Sequence, residues 1–191
     1  MPSLERELQG RIDALVAADV TLDAAVIRGL VREFGGGEGR SQIAEGNRIL
    51  AGELGVSVRT VQRWQKDAGS GEARDVNRST AGLRISVKAL ADAQQRAANV
   101  QRLRDDGLTV DLCECWVQVS NEQRSRFRRV RQVDDNAPLR LDGATMGLVL
   151  DEIDAGHAAT AADIFGAGMP GPYGISQAAE ITDVESLTMT Y

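Results

Sequence analysis

Residues 49–64 read Ile49-Leu50-Ala51-Gly52-Glu53-Leu54-Gly55-Val56-Ser57-Val58-Arg59-Thr60-Val61-Gln62-Arg63-Trp64. This stretch decides how the amino-terminal half is built. Two helices that cross closely need a small residue at the crossing, and Ala51 supplies it. The chain must then reverse within a few residues, which favours a glycine able to take positive φ without steric cost; Gly55 stands there. Ser57 can accept from the orphan N–H groups of a following helix. Val56, Val58, Val61 and Trp64 provide the apolar side chains that would seat that helix. The order is that of a helix-turn-helix. Such a unit leaves the outer face of its second helix free to enter a DNA major groove, where Ser57, Arg59, Thr60, Gln62, Arg63 and Lys66 would meet base edges or phosphates. A helical hairpin that only packs is the plainer alternative.

Upstream, Leu4, Leu8, Ile12 and Leu15, then Leu22, Val26, Leu30 and Phe34, recur every three or four positions and predict two helices with Ser3 and Thr21 as caps. Gly35, Gly36, Gly37 and Gly39 interrupt the pattern, which suggests a flexible joint. Gly69 to Gly71 suggest a second. Residues 83–104 carry Leu83, Val87, Leu90, Ala97, Val100 and Leu103 with Arg and Gln between them, a long basic helix ended by Asp105, Asp106 and Gly107.

Downstream the period changes. From Leu108 to Val119 apolar residues alternate on both sides, residues 120–123 are polar enough to turn, and Arg124 to Val133 reads as a return strand, so a β-hairpin is expected. Asp142 can cap a helix carrying Met146, Val149, Leu150 and Ile153. An Ala-rich helix to about Phe165, a loop over 166–174 and a last strand at Leu187, Met189 and Tyr191 complete the chain. The expected class is therefore α+β. Its segments are a helical pair with a Gly-rich joint (1–40), the helix-turn-helix (41–70), the basic helix (71–106) and an α+β domain (107–191).

The 191 residues are 42% hydrophobic and 26% charged, which suits one large or two small domains with an apolar core and argues against wholesale disorder. No run approaches about 18 apolar residues, and the opening around Glu5, Arg6 and Glu7 lacks the apolar core of a signal peptide. The two cysteines, Cys113 and Cys115, stand too close for a good structural disulfide and fit a reducing compartment. A cytoplasmic, nucleoid-associated protein is expected. The net charge of −6 hides opposed bands: 74–104 carries +5, 124–140 carries +4, and 141–191 has eight acids without Lys or Arg. In the second basic band Arg124, Arg126 and Arg128 alternate along the strand and could follow a phosphate backbone. Equally, they could protect an exposed sheet edge by charge.

No self-contained catalytic device is legible. Gly35-Gly36-Gly37-Glu38-Gly39-Arg40-Ser41 lacks the spacing, the Lys and the preceding strand of a phosphate loop. Cys113, Cys115 and the lone His157 are too few and too scattered for zinc, and no nucleophile elbow accompanies His157. We expect no metal and no cofactor, and no enzyme activity beyond a hydroxyl that accepts a nucleotide.

The ordered combination of Gly55-Val56-Ser57-Val58-Arg59-Thr60-Val61-Gln62-Arg63-Trp64, Gln95-Arg96-Ala97-Ala98, Gly107-Leu108-Thr109-Val110-Asp111, the Arg-rich strand and Ile181-Thr182-Asp183-Val184-Glu185-Ser186-Leu187 resembles the telomere-protecting terminal proteins of linear actinobacterial chromosomes and plasmids. The resemblance runs from about residue 49 to the carboxyl end and leaves the first 40 residues outside. It implies a DNA-binding protein joined to 5′ DNA ends, whose hydroxyl accepts the first nucleotide from a polymerase. The family's acceptor is a threonine before the Arg-rich strand. Here that place reads Val119-Ser120-Asn121-Glu122, so the resemblance points to Ser120 instead. The partners it implies are DNA, a DNA polymerase and a telomere-associated protein, with a second copy of the chain as a further candidate. A plasmid or phage transcriptional regulator and an oligomerising structural protein without DNA binding are the alternatives.

Overall fold

The computed structural model describes residues 3–66, 76, 79–120, 123–130, 139–168 and 180–191. Among them, seven helices and four strands follow one another: α1 (Leu4–Val16), α2 (Ala24–Gly35), α3 (Arg40–Glu53), α4 (Val58–Trp64), α5 (Ala81–Asp106), β1 (Leu108–Ser120), β2 (Gln123–Val130), β3 (Leu139–Leu141), α6 (Gly143–Asp154), α7 (Ala158–Gly168) and β4 (Glu180–Thr190). The fold is α+β. Two compact units form: Ala18–Ala97, and Met1–Ala17 together with Ala98–Tyr191. This grouping differs from the four segments read along the sequence. Helix α1 leaves α2 and packs on β4 and α7, because Leu4, Leu8, Ile12 and Val16 find their apolar partners there.

In the Ala18–Ala97 unit, α2 is capped by Asp23, which accepts from the Val26 N–H at 2.8 Å, rather than by Thr21. A carboxylate at this place satisfies an orphan donor and suits the positive end of the helix dipole. The helix ends at Gly36, with φ +71°, and Gly37 N–H closes the turn on the Arg32 carbonyl at 2.9 Å. The Gln42 side chain then accepts from Gly39 N–H at 2.9 Å and donates to the Gly36 carbonyl at 3.1 Å. The glycines 35–39 are thus an ordered, hydrogen-bonded connection and not a loose joint. The second suggested joint, Gly69 to Gly71, lies outside the described residues.

Leu22, Ile27, Leu30, Val31, Leu50, Ala51, Val61, Trp64, Val76, Val87 and Ala91 form the core of this unit. Residues 19–20 are tied to α5 by an ion pair and hydrogen bonds. Lys88 Nζ donates to Asp19 at 2.6 Å and to the Val20 carbonyl at 3.1 Å, while Asp92 accepts from Val20 N–H at 2.7 Å.

In the other unit β1 is central. It pairs antiparallel with β2 and β3 along one edge and with β4 along the other. The expected hairpin is present, but β1 continues to Ser120 and β2 starts at Gln123, opposite it, so both residues belong to strands and not to a four-residue turn. Residues 121–122 and 131–133 lie outside the described residues. Irregularities against β4 at Val110/Leu112, Glu114/Cys115 and Trp116/Val117 break the strict alternation expected of β1. Gly107, at φ +73°, turns the end of α5 into β1, and a Cβ there would collide with the Leu141 carbonyl. Asp142 caps α6 by accepting from Thr145 N–H at 2.7 Å, as expected. Helix α7 runs past Phe165 to Gly168, and β4 begins at Glu180, well before Leu187. Buried Phe165, Val184, Leu187 and Met189 draw both elements into the core beyond their obvious sequence patterns.

Candidate nucleic-acid interface

The helix-turn-helix read from residues 49–64 is formed by α3, the turn 54–57 and α4. Gly55 adopts φ +62°, and the turn closes with Val56 N–H donating to the Ala51 carbonyl at 2.9 Å. Ser57 caps α4 by accepting from Thr60 N–H at 3.2 Å, and its hydroxyl also bonds the Thr60 hydroxyl at 2.9 Å. Both hydroxyls are thereby engaged in starting the helix. Val61 and Trp64 are fully buried and Ala51 nearly so. Val58, expected to share the apolar seat, is instead 37% exposed. Helical side chains lean toward the amino terminus, and at the first residue of α4 that direction leads to the exposed turn.

The outer face of α4 carries Arg59, Gln62 and Arg63, with Lys66 just beyond its end, all four exposed; Ser57 is exposed and Thr60 half-buried. The carboxyl end of α4 is fixed by residues that the sequence reading did not single out. Gln65 Nε2 donates to Asn47 Oδ1 at 2.5 Å, and Arg28 donates to the Gln65 carbonyl at 2.9 Å. Buried Asn47 breaks the apolar face of α3, and that is the signal in the sequence that could have found it.

Charge divides with the units. Ala18–Ala97 holds twelve Lys and Arg against ten acids, a net +2, whereas the remaining residues hold ten against eighteen, a net −8. On α3 the Arg48 guanidinium pairs with Glu45, and its hydrogen bond holds that carboxyl below the usual range. Three cations of α5 have partners of their own. Asp19, ahead of Asp92, raises the Lys88 ammonium above its usual range. Arg102 lies 4.4 Å from the centre of the Tyr191 ring, and Arg104 bonds Asp151 at 2.7 Å.

Arg124, Arg126 and Arg128 belong to the other unit. They occupy alternate positions of β2 in unbroken register opposite Gln118, Trp116 and Glu114. Among the described strands, β2 pairs with β1 alone. Ser120 closes β1 opposite Gln123, after a register shift at Val119. His157 stands just before α7, its Nδ1 2.9 Å from Glu152, and its carbonyl accepts from Ala161 N–H, so it serves a helix start. Among the described residues no group of three or more His, Cys, Asp or Glu is placed to hold a metal ion, and no helix is long and apolar enough to cross a membrane. Comparison with protein-family models, curated proteins and solved structures gives no match.

Proposed function

We propose that the Ala18–Ala97 unit binds duplex DNA, with the outer face of α4 in the major groove. The observation that carries this reading is the two-sidedness of α4: Val61 and Trp64 are buried completely, while Arg59, Gln62, Arg63 and Lys66 are exposed together. An α-helix with its side chains is about 10–12 Å across, which a major groove about 12 Å wide admits. Arg59 and Arg63 supply guanidinium forks suited to guanine, Gln62 an amide suited to adenine, and Lys66 a point charge suited to phosphate. The net positive charge of this unit, within an acidic chain, favours approach to a polyanion. Such a protein would reside with the nucleoid. Selection from a pool of random duplexes, followed by anisotropy titrations across salt, tests the reading. Failure to bind any duplex at low salt would leave a packing or oligomerising role for the helical unit.

A narrower reading keeps the resemblance to terminal proteins of linear replicons, with a DNA polymerase and a telomere-associated protein as partners. It is favoured by the position of Ser120, the last residue of β1, separated by two residues from the Arg-rich β2. In that reading the Ser120 hydroxyl oxygen attacks the α-phosphorus of a deoxynucleoside triphosphate. A phosphoester forms, pyrophosphate leaves and the hydroxyl proton passes to solvent. The polymerase supplies the metal ions that such a transfer requires.

A further inference from the structure

Helix α4 is held by polar contacts that its apolar seat does not require. Asn47 in α3 is 3% exposed, a polar side chain buried beside the apolar core of this unit. Its Nδ2 donates to the Ile43 carbonyl at 2.7 Å, and its Oδ1 accepts from Gln65 Nε2 at 2.5 Å. The same Nε2 lies 3.2 Å from the Val61 carbonyl, to which it also donates. The Gln65 main-chain carbonyl then accepts from Arg28 Nη1 of α2 at 2.9 Å. Three helices therefore meet at the residue that caps the carboxyl end of α4.

Burial of Val61 and Trp64 resists withdrawal of α4, but apolar burial is non-directional and tolerates rolling or sliding of so short a helix. Hydrogen bonds are directional, and a buried amide that lost its partner would carry a desolvation penalty, so the network stays closed over a narrow range of roll. That range matters for reading bases. A roll of about 20° would carry a side-chain end, about 5–6 Å from the helix axis, through about 2 Å, well beyond the spread of hydrogen-bond lengths. Flexible contacts to phosphate would survive such a shift, whereas bidentate contacts to base edges would not.

We propose that Asn47, Gln65 and Arg28 are positioning residues that set the sequence discrimination of α4 and leave its general affinity for DNA unchanged. The inference rests on the reading of α4 as the helix that enters duplex DNA.

The test uses the full chain and a preferred duplex obtained by selection. Affinities of the wild type, Asn47→Leu, Gln65→Met and the double variant are measured for the selected and a scrambled duplex across salt, with circular dichroism and melting to verify folding. Each single variant should lower the selected-to-scrambled affinity ratio by about tenfold or more, the loss of about one bidentate contact. The double variant should lose no more than the worse single one, because one network is broken once. Scrambled-duplex affinity and salt slope should hold. Gln65→Met, at a half-buried position, serves if Asn47→Leu does not fold. Folded variants with an unchanged ratio, or with equal losses on both duplexes, would overturn the proposal, as would a wild type that binds duplexes without preference. A wild type that binds no duplex would overturn the α4 reading itself and this inference with it.

Discussion

Gly46 in α3 lies against the main-chain carbonyl oxygen of Val31 in α2, so closely that a Cβ at position 46 would overlap that oxygen. The reciprocal contact is made at Gly35, where a Cβ would strike the Gln42 carbonyl. Backbone meets backbone at this crossing, and α3 is thereby set for the turn into α4. Gly46→Ala should destabilise the protein by about 2 kcal/mol, because the collision with backbone outweighs the roughly 1 kcal/mol by which alanine favours helix. Gly52→Ala in the same helix meets nothing within 4 Å and should stabilise by about 0.5–1 kcal/mol. Urea unfolding of the two variants checks the opposite signs; shifts in the same direction would refute the close crossing.

On α4, contact and support should separate cleanly. Arg59→Ala and Arg63→Ala should each weaken binding to a selected duplex by about 1–3 kcal/mol with little change in melting temperature. Trp64→Ala should instead cost about 3–5 kcal/mol of stability, since the indole is fully buried. Full duplex affinity in both arginine variants would remove α4 from the interface.

The Arg-rich strand makes a different prediction. Replacing Arg124, Arg126 and Arg128 together by Gln should flatten the slope of log affinity against log salt by about 2–3, at about 0.9 per phosphate contact on duplex. Sequence preference should survive. The register sets Glu114 opposite Arg128 and uncharged residues opposite Arg124 and Arg126, so Arg128→Gln alone should contribute least. An unaltered slope would make β2 a charged edge strand that protects the sheet.

Acid sensitivity should trace in part to Asp92. The Val20 N–H, and after it the Lys88 ammonium, hold this carboxyl below its usual range. A depressed folded-state pKa means that the contribution to stability is complete above the unfolded value, near about 3.9, and is lost as pH falls through the folded value. Asp92→Asn should therefore flatten the acid limb of a melting-temperature profile below about pH 4. Lys88 titrates the other way, its raised pKa giving a contribution that is lost only as pH rises through it, so the alkaline limb should keep its dependence on the pair with Asp19. An acid limb as steep in Asp92→Asn as in the wild type would count against this assignment.

Priming has a single-atom readout. Incubation with a replicative polymerase, a deoxynucleoside triphosphate and a DNA end should place a nucleotide on Ser120, visible by mass spectrometry and absent from Ser120→Ala. If no adduct forms where an established terminal protein is labelled, the duplex-binding reading stands alone.

The features legible in the sequence are those decided within a few residues. Gly55 turns the chain and Ser57 and Asp142 cap helices because positive φ and a side-chain acceptor act on the adjacent backbone. The hairpin of β1 and β2 follows from alternation on either side of a short polar stretch, and the long α5 from its apolar period. Thr21 was displaced as a cap by Asp23, two residues on, because periodicity locates a helix more surely than its first turn. Only the tertiary structure decided that α1 joins β4 and α7, that glycines 35–39 close a helix crossing, and that Asn47, Gln65 and Arg28 meet. Those outcomes depend on complementarity between residues up to the length of the chain apart. Apolar spacing can announce that the face of α1 will be buried; which surface buries it is decided by the shape and partners that the rest of the chain presents.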